Sequence, residues 1–312
     1  MTRPLNRRRF LTISASALAL PLMPRLAQAQ IPVAEWRGTA LGAGATMKLA
    51  GLDDAAAQEV FRRVEAEVAR LEAIFSLYRP DSALARLNHE GHLAQPPAEM
   101  LELLTLAGAV HASTDGAFDP TIQPLWAAYA EGAGRPDESA REAARAHIGW
   151  ADLRLAPDLV EFSRAGMGLT LNGIAQGYIT DRIAALLRAQ GLGDVLIDMG
   201  EIVARGERPG GGPWEAGIAT PEGELVGRLV LDDRALATSA PLGTTLDSEG
   251  RVGHIIDPAT GRPTMARRLV SVSAGTAALA DALSTAFCSM TDRNAIDRAL
   301  ARHKGARLEH IA

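Results

Sequence analysis

A turn, a helix and a buried strand follow one another over residues 169–198, and this stretch constrains the fold more than any other. Asn172-Gly173 predicts a tight turn, and Val195-Leu196-Ile197 predicts a short buried strand. Between them, apolar residues recur at helical spacing until Gly191: Ile174, Tyr178, Ile179, Ile183, Leu186 and Leu187. The first N–H groups of a helix lack partners within it, so this turn could hold an anion such as a phosphate. The alternative is a turn with no ligand.

The first 29 residues predict an export signal. Arg7-Arg8-Arg9 precedes a short apolar run that ends at the small-residue cleavage site Ala27-Gln28-Ala29, as in twin-arginine signals. The apolar run, residues 10–23, is too short to span a bilayer, and a retained membrane anchor is the alternative. We therefore expect a periplasmic mature chain, residues 30–312, with no membrane span.

Net charge argues against a nucleic-acid-binding protein, and cysteine content excludes an intrachain disulfide. Removal of the signal leaves 27 basic against 37 acidic side chains, a formal charge of −10, which argues against nucleic acid as a partner. Cys288 is the only cysteine of the chain, so an intrachain disulfide is impossible, and its apolar surroundings predict a core position.

Residue patterns predict an α+β fold with mixed or mainly antiparallel sheets packed by helices. In the first half we expect a strand at 41–49, a long amphipathic helix from Asp53 or Asp54 to before Pro80, and a helix at 99–111. Residues 113–126 predict a loop and 131–139 a polar linker. The later half is rich in short strand patterns, at residues 214–218, 229–231, 235–239 and 269–272.

Three places carry side chains suited to chemistry. Asp281 and Thr285 stand one turn apart on a predicted helix, 278–290, and offer the hard oxygen ligands that Mg²⁺ prefers. Asp281 as a solvated helix residue is the alternative. His254 shares the turn-rich segment 254–263 with Asp257, and a surface or structural histidine is the alternative there. Tyr78 precedes a proline break, and a half-buried structural tyrosine is its alternative.

Five segments, taken in order, resemble the ApbE family of FAD:protein FMN transferases. They are FSLYRPDSALARLN, GAFDPTIQPL, LNGIAQGY, HIIDPATGRP and ADALSTA. The resemblance implies an exported enzyme that binds FAD and Mg²⁺, transfers FMN to a threonine of an acceptor protein and releases AMP. The LNGIAQGY variant together with the export signal is similar to the NosX-like branch, which implies a membrane-bound electron-transfer acceptor such as a NosR-like protein.

The resemblance also implies roles for individual residues. Those assigned to FAD are Leu41, Tyr78, Ala117, Phe118, Asp119, Thr170, Gln176 and Ile255, and those assigned to the metal are Gly173, Asp281 and Thr285. Three of these positions depart from the commonest family pattern, because Leu41-Gly42-Ala43 replaces Met-Gly-Thr, Thr170-Leu171-Asn172 replaces Asp-Leu-Gly, and Gln176 replaces lysine.

His254 is our hypothesis for the catalytic base, because imidazole titrates near neutral pH. Asp257 would orient the imidazole or contact the metal. Two other functions remain open: an FAD pyrophosphatase that uses water as acceptor, and a flavin-binding or delivery protein without catalysis.

Overall fold

The computed structural model describes residues 31–265 and 269–312, so the predicted export signal, residues 1–29, lies outside the described residues. The helices of this part of the chain are α1 Asp54–Phe75, α2 Ala83–Glu90, α3 Ala98–Ser113, α4 Gln123–Glu131, α5 Glu138–Arg145, α6 Ala175–Ala189, α7 Ala277–Phe287 and α8 Arg293–Ala301. Its strands are β1 Val33–Ala40, β2 Ala43–Ala50, β3 His92–Ala94, β4 Leu153–Ala156, β5 Leu159–Phe162, β6 Val195–Asp198, β7 Ile202–Arg205, β8 Trp214–Ala219, β9 Leu225–Leu231, β10 Ala235–Ser239, β11 Ile256–Asp257, β12 Arg262–Pro263, β13 Val270–Ala274 and β14 Arg307–Ile311.

A seven-stranded sheet in the order β1-β2-β6-β7-β10-β13-β14 forms the centre of the molecule. Every neighbouring pair in it is antiparallel, so the predicted α+β class with mainly antiparallel pairing is confirmed. The remaining sheets are small: β3-β5-β4, the hairpin β8-β9 and the pair β11-β12.

Both faces of the central strands are buried. In β7, Val203 belongs to the large core that α1, α3, α6 and α7 build, whereas Ile202 and Ala204 pack into a second, smaller core beneath the β8-β9 hairpin. Side chains alternate between the two faces of a strand, so a strand covered on both sides reads as one continuous apolar run. This explains the apolar run at residues 195–197, which was correctly predicted as a buried strand.

The first hairpin corrects the prediction for residues 41–49. Leu41 and Gly42 form its turn, with φ angles of 48° and 83°, and β2 follows, so a strand at 43–50 is confirmed while β1 was missed. Two positive φ angles in a two-residue turn match the twist of the flanking strands. Gly38 hides the alternation of β1, because the indole of Trp36 lies where a Gly38 side chain would begin.

Residues 113–126 were predicted as a loop, and this is wrong for their second half. A 3₁₀ turn, Pro120–Ile122, leads directly into α4, which has Pro124 in its first turn. Proline is tolerated there because the first N–H groups of a helix have no intrahelical partner. The predicted linker 131–139 is shorter than expected, since α5 begins at Glu138 behind the N-cap Asp137.

The other long elements are confirmed with small shifts at their ends. Asp53 caps α1 by accepting a hydrogen bond from the N–H of Ala56 at 2.8 Å. The helix ends at Phe75, five residues before Pro80, and Ser82 then caps α2. The predicted helix at 278–290 ends earlier, at Phe287, and Cys288 is buried as expected. Within residues 31–265 and 269–312, no helix is both long and apolar enough to cross a membrane.

Candidate active site

Helices α6 and α7 touch through their backbones at Gly177. A Cβ atom on Gly177 would lie 2.4 Å from the carbonyl oxygen of Ala277, so only glycine permits this approach. Asp181, one turn further along α6, accepts hydrogen bonds from the N–H groups of Ala277 and Ala278 at 2.8 and 2.9 Å. It thereby caps α7 from the neighbouring helix, a task that the N-cap residue Thr276 leaves undone. The two helix starts are therefore fixed side by side.

Asp281 lies at this helix contact and is only 4% exposed. The N–H of Gly177 donates to its Oδ2 atom at 3.3 Å, so the carboxylate faces the start of α6. Burial raises the pKa of Asp281 to about 7, the bond from Gly177 acts in the opposite direction, and the charge of Asp181 raises the pKa further. The interpretation of Asp281 as a solvated helix residue is thus excluded.

Thr285 and Gly173 meet beside Asp281. A Cβ atom on Gly173 would lie 3.0 Å from Oγ1 of Thr285, so the backbone of the turn runs against this hydroxyl. Oγ1 of Thr285 is also 3.3 Å from Oγ of Ser239, the last residue of β10. The three groups that the family resemblance assigns to a metal, Gly173, Asp281 and Thr285, hence lie close together.

The donor set suits a hard cation. It offers the Asp281 carboxylate, the Thr285 hydroxyl and the backbone of Gly173, all oxygen ligands of the kind that Mg²⁺ binds. No group of three or more His, Cys, Asp or Glu side chains able to hold a metal occurs in the described part of the chain. The candidate set therefore rests on one carboxylate, one hydroxyl and one backbone carbonyl.

Tyr78 is linked to the same turn. Its side chain hydrogen-bonds with Asn172, the residue before Gly173, and is 58% exposed. Burial raises the pKa of Tyr78 and the bond with Asn172 acts in the opposite direction, so the hydroxyl is partly enclosed although the residue as a whole is exposed. An aromatic ring held at its tip with an open face is suited to stacking against a planar ligand.

The segment 117–120 runs beside Thr170. The N–H of Thr170 donates to the carbonyl of Pro120 at 2.8 Å, which aligns this segment with the approach to α6. Phe118 is buried, and Ala117 is partly buried against the core. Asp119 caps the 3₁₀ turn by accepting from the N–H and the hydroxyl of Thr121. These bonds fix the backbone that leads to the site.

His254 is held by the turn that follows β10. Its Nδ1 atom lies 3.1 Å from the carbonyl oxygens of both Pro241 and Thr244. Carbonyl oxygens only accept, so Nδ1 carries the hydrogen and the neutral ring keeps its lone pair on Nε2. Burial lowers the pKa of His254, and the two carbonyls act in the opposite direction. The imidazole is therefore fixed in orientation and kept neutral, with Nε2 as the basic atom.

Two neighbours of His254 in the sequence have other surroundings. Asp257 accepts from the N–H of Ala259 and the hydroxyl of Thr260, both at 2.9 Å, so its carboxylate holds the turn that follows it. The carbonyl oxygens of Pro241 and Thr244, rather than Asp257, accept the hydrogen bond from Nδ1 of His254. Ile255 is buried in the large core.

The last two residues assigned to FAD, Gln176 and Leu41, each contact a neighbouring element. The side chain of Gln176 approaches Gly200: a Cβ atom added to Gly200 would lie 2.9 Å from Nε2 of Gln176. Leu41 sits in the β1-β2 turn, and its N–H donates to Glu72 at 2.7 Å. Glu72 belongs to α1, so this bond ties the first hairpin to that helix.

The ApbE family profile matches residues 41–308, which is most of the chain. The chain belongs to the ApbE family. Two relatives are FAD:protein FMN transferases. That of Treponema pallidum is 33% identical over 74% of this chain and 70% of its own, and that of Salmonella typhimurium is 30% identical over 80% and 76%.

Solved ApbE structures have the same fold. The flavin transferase ApbE of Vibrio cholerae superposes with a TM-score of 0.77 at 26% identity, covering 87% of this chain and 91% of that one. The flavinyl transferase ApbE of Pseudomonas stutzeri, in its apo form, gives 0.76 at 29% identity, with 88% and 89% covered. The architecture described above is thus that of the family.

Sequence reasoning about this ApbE chain missed two acids beside the site, the buried Glu201 and the partly buried Asp198. Burial and the charges of Asp281 and Asp198 hold the pKa of Glu201 well above its usual value, while the backbone of Thr238 acts against them. Burial also raises the pKa of Asp198 to about 6. The available signal was a pair of acids, at 198 and 201, directly after the apolar run at 195–197.

Proposed function

We propose that this ApbE protein transfers FMN from FAD to a threonine hydroxyl of an acceptor protein in a Mg²⁺-dependent reaction that releases AMP. Relatives that are FAD:protein FMN transferases support the reaction class. The observation that carries the proposal is the meeting of Gly173, Asp281 and Thr285 at the start of α6. A helix start and hard oxygen ligands at one place suit a pyrophosphate, whose negative charge both can stabilise.

In the proposed reaction the threonine oxygen attacks the phosphorus of the FMN half of FAD. The new bond joins that oxygen to phosphorus, the bond from phosphorus to the bridging oxygen breaks, and AMP leaves with the bridging oxygen. Nε2 of His254 accepts the hydroxyl proton, which suits its fixed tautomer and free lone pair. When bound, Mg²⁺ supplies charge neutralisation to the phosphate oxygens.

Residues of this chain would hold the parts of FAD in order. The open ring of Tyr78 would stack on the isoalloxazine, and its bond to Asn172 would keep the ring beside the turn that faces the pyrophosphate. Asp281, Thr285 and the backbone of Gly173 would hold the cation. Leu41 and Gln176 stand where the commonest family pattern has methionine and lysine, so this chain offers the FAD one fixed positive charge fewer.

We further propose that the protein acts in the periplasm after twin-arginine export, and that its acceptor is a membrane-bound electron-transfer protein such as a NosR-like protein. The arginine run and the small-residue cleavage site at 27–29 support the export route. The similarity of LNGIAQGY to the NosX-like branch supports the acceptor class. Fractionation of a tagged full-length chain, compared with an Arg8→Lys, Arg9→Lys variant, tests the route.

The activity is tested by incubating the mature protein with FAD, MgCl₂ and the flavin-carrying domain of a NosR-like protein. We expect the acceptor mass to increase by one FMN less one water, with release of an equal amount of AMP. Asp281→Asn should abolish the adduct, whereas Asp158→Asn, at an exposed turn, should not. AMP and free FMN without an adduct would show the pyrophosphatase instead, and FAD binding without either product would show a delivery protein.

A further inference from the structure

Glu201 is a buried acid with an unused hydrogen-bonding atom. The residue is 6% exposed, and among the described residues its Oε2 atom has no hydrogen-bond partner. A buried polar atom without a partner is costly, and native proteins keep few of them. The residue therefore needs an explanation other than packing.

Strand pairing places Glu201 beside the active-site face of α7. Ile202, the next residue, pairs with Leu236 of β10, and the backbone of Thr238 in the same strand interacts with the Glu201 carboxyl group. Ser239 follows Thr238 and contacts Thr285. The carboxyl group thus comes from the sheet and lies close enough to Asp281 for the two charges to interact, whereas Gly173 and Gly177 belong to the turn before α6 and to α6 itself.

The charges around Glu201 are all of one sign. Asp281 and Asp198 are the ionisable groups that act on its carboxyl group. None of the three acids takes part in an ion pair with another described residue. Carboxylates held close together repel one another, and a bound divalent cation reverses that balance because it is the largest local charge.

We propose that Glu201 is a positioning residue for the divalent cation, adding a carboxylate on the sheet side of the site formed by Asp281, Thr285 and Gly173. This inference rests on the proposed function, in which that site holds Mg²⁺. The buried carboxylate of Glu201 supplies negative charge beside the three oxygen-donating groups, and this charge favours a divalent cation. Glu201 acts through the charge and orientation that it gives to the site, and it has no part in the proton transfer.

Calorimetric titration of the metal-free mature protein with MgCl₂, without FAD, tests the proposal. We expect Glu201→Gln to weaken Mg²⁺ binding by roughly 10- to 100-fold, the range for residues that support metal ligands. Glu215→Gln, at an exposed position of β8, is the matched control and should bind as the wild type does. Asp281→Asn should show the larger loss expected of a ligand.

Glu201→Asp separates a charge from a packing role. If Glu201 acts through its charge, affinity should fall in the order wild type, Glu201→Asp, Glu201→Gln, because aspartate keeps the carboxylate. If Glu201 only fills space, glutamine should match the wild type and aspartate should be the worse variant. Wild-type affinity in Glu201→Gln, or the second order, would overturn the proposal.

The outcomes also separate this inference from the proposed function. Loss of Mg²⁺ affinity in Asp281→Asn but not in Glu201→Gln would remove only the role of Glu201. Unchanged affinity in Asp281→Asn would remove the metal site itself and the inference with it.

Discussion

A single added methyl group at Gly177 should disturb the contact between α6 and α7, on which the site depends. Alanine is favoured over glycine in helices by about 1 kcal/mol, so propensity alone predicts that Gly177→Ala stabilises α6. The structure predicts the opposite sign. The new Cβ atom would lie 2.4 Å from the carbonyl oxygen of Ala277 and 2.6 Å from the nitrogen of Ala278, and both obstacles are backbone atoms.

The size of the effect follows from what must move. Contacts of this kind essentially never fall below 3.0 Å, so α7 must retreat by at least the missing 0.6 Å. Overpacking costs about 1–3 kcal/mol, and the retreat also stretches the bonds that Asp181 makes to Ala277 and Ala278. We expect a net loss of roughly 2–4 kcal/mol, which corresponds to a melting temperature lower by about 4–10 °C.

Calorimetric melting of the mature protein, wild type against variants, checks this prediction. Gly193→Ala is the matched control, because a Cβ atom there meets no atom within 4 Å and should leave the melting temperature nearly unchanged. A Gly177→Ala protein that melts at or above the wild-type temperature would refute the argument, since the approach of the two helices would then not require glycine.

Three further predictions follow from the site. Asp181→Ala removes the cap of α7 and should lower the free energy of unfolding in urea by about 1–2 kcal/mol, whereas Asp232→Ala, at an exposed bend, should cost less. The pKa of Asp198 is raised to about 6, so the acid favours folding while it is protonated, and stability of the metal-free protein should fall as pH rises from about 4 to 6. Asp198→Asn should make the fall of stability with pH less steep without abolishing it, because Asp181, with a pKa of about 6, titrates in the same pH range. An unchanged pH dependence in Asp198→Asn would contradict a raised pKa for Asp198. Tyr78→Ala should weaken FAD binding by about fivefold, the equivalent of roughly 1 kcal/mol, while Tyr78→Phe keeps the ring and should lose less affinity. Equal FAD affinity in the wild type and both variants would leave Tyr78 with only a structural role.

Local patterns were sufficient for the elements that frame the site. The apolar spacing of α1 and α6 and the uninterrupted run at 195–197 each reflect burial of one element, and such burial leaves its period in the sequence. Asp281 and Thr285 could be placed on one helix face because their spacing is a property of that helix. In contrast, α4 was mistaken for a loop because Pro124 reads as a breaker when its place in the first turn is unknown.

Glu201 and Asp181 could not be assigned from local patterns because their roles depend on distant partners. Asp181 caps a helix that begins 96 residues later, and no spacing rule connects the two. Glu201 reaches the site only because β7 pairs with β10, a register that becomes visible only when the sheet is assembled. Contacts between residues that are distant in the sequence are therefore the part of this fold that local sequence patterns do not predict.

The most direct test of the account is the mass of an acceptor protein after reaction with FAD and MgCl₂, measured for the wild type, His254→Asn and the exposed-site control His89→Asn. We predict one FMN adduct on a threonine with the wild type and the control. With His254→Asn we predict adduct formation slower by about 10²- to 10⁴-fold at unchanged FAD affinity. Adduct formation at the wild-type rate in His254→Asn, or no adduct with the wild type, would contradict the proposed mechanism.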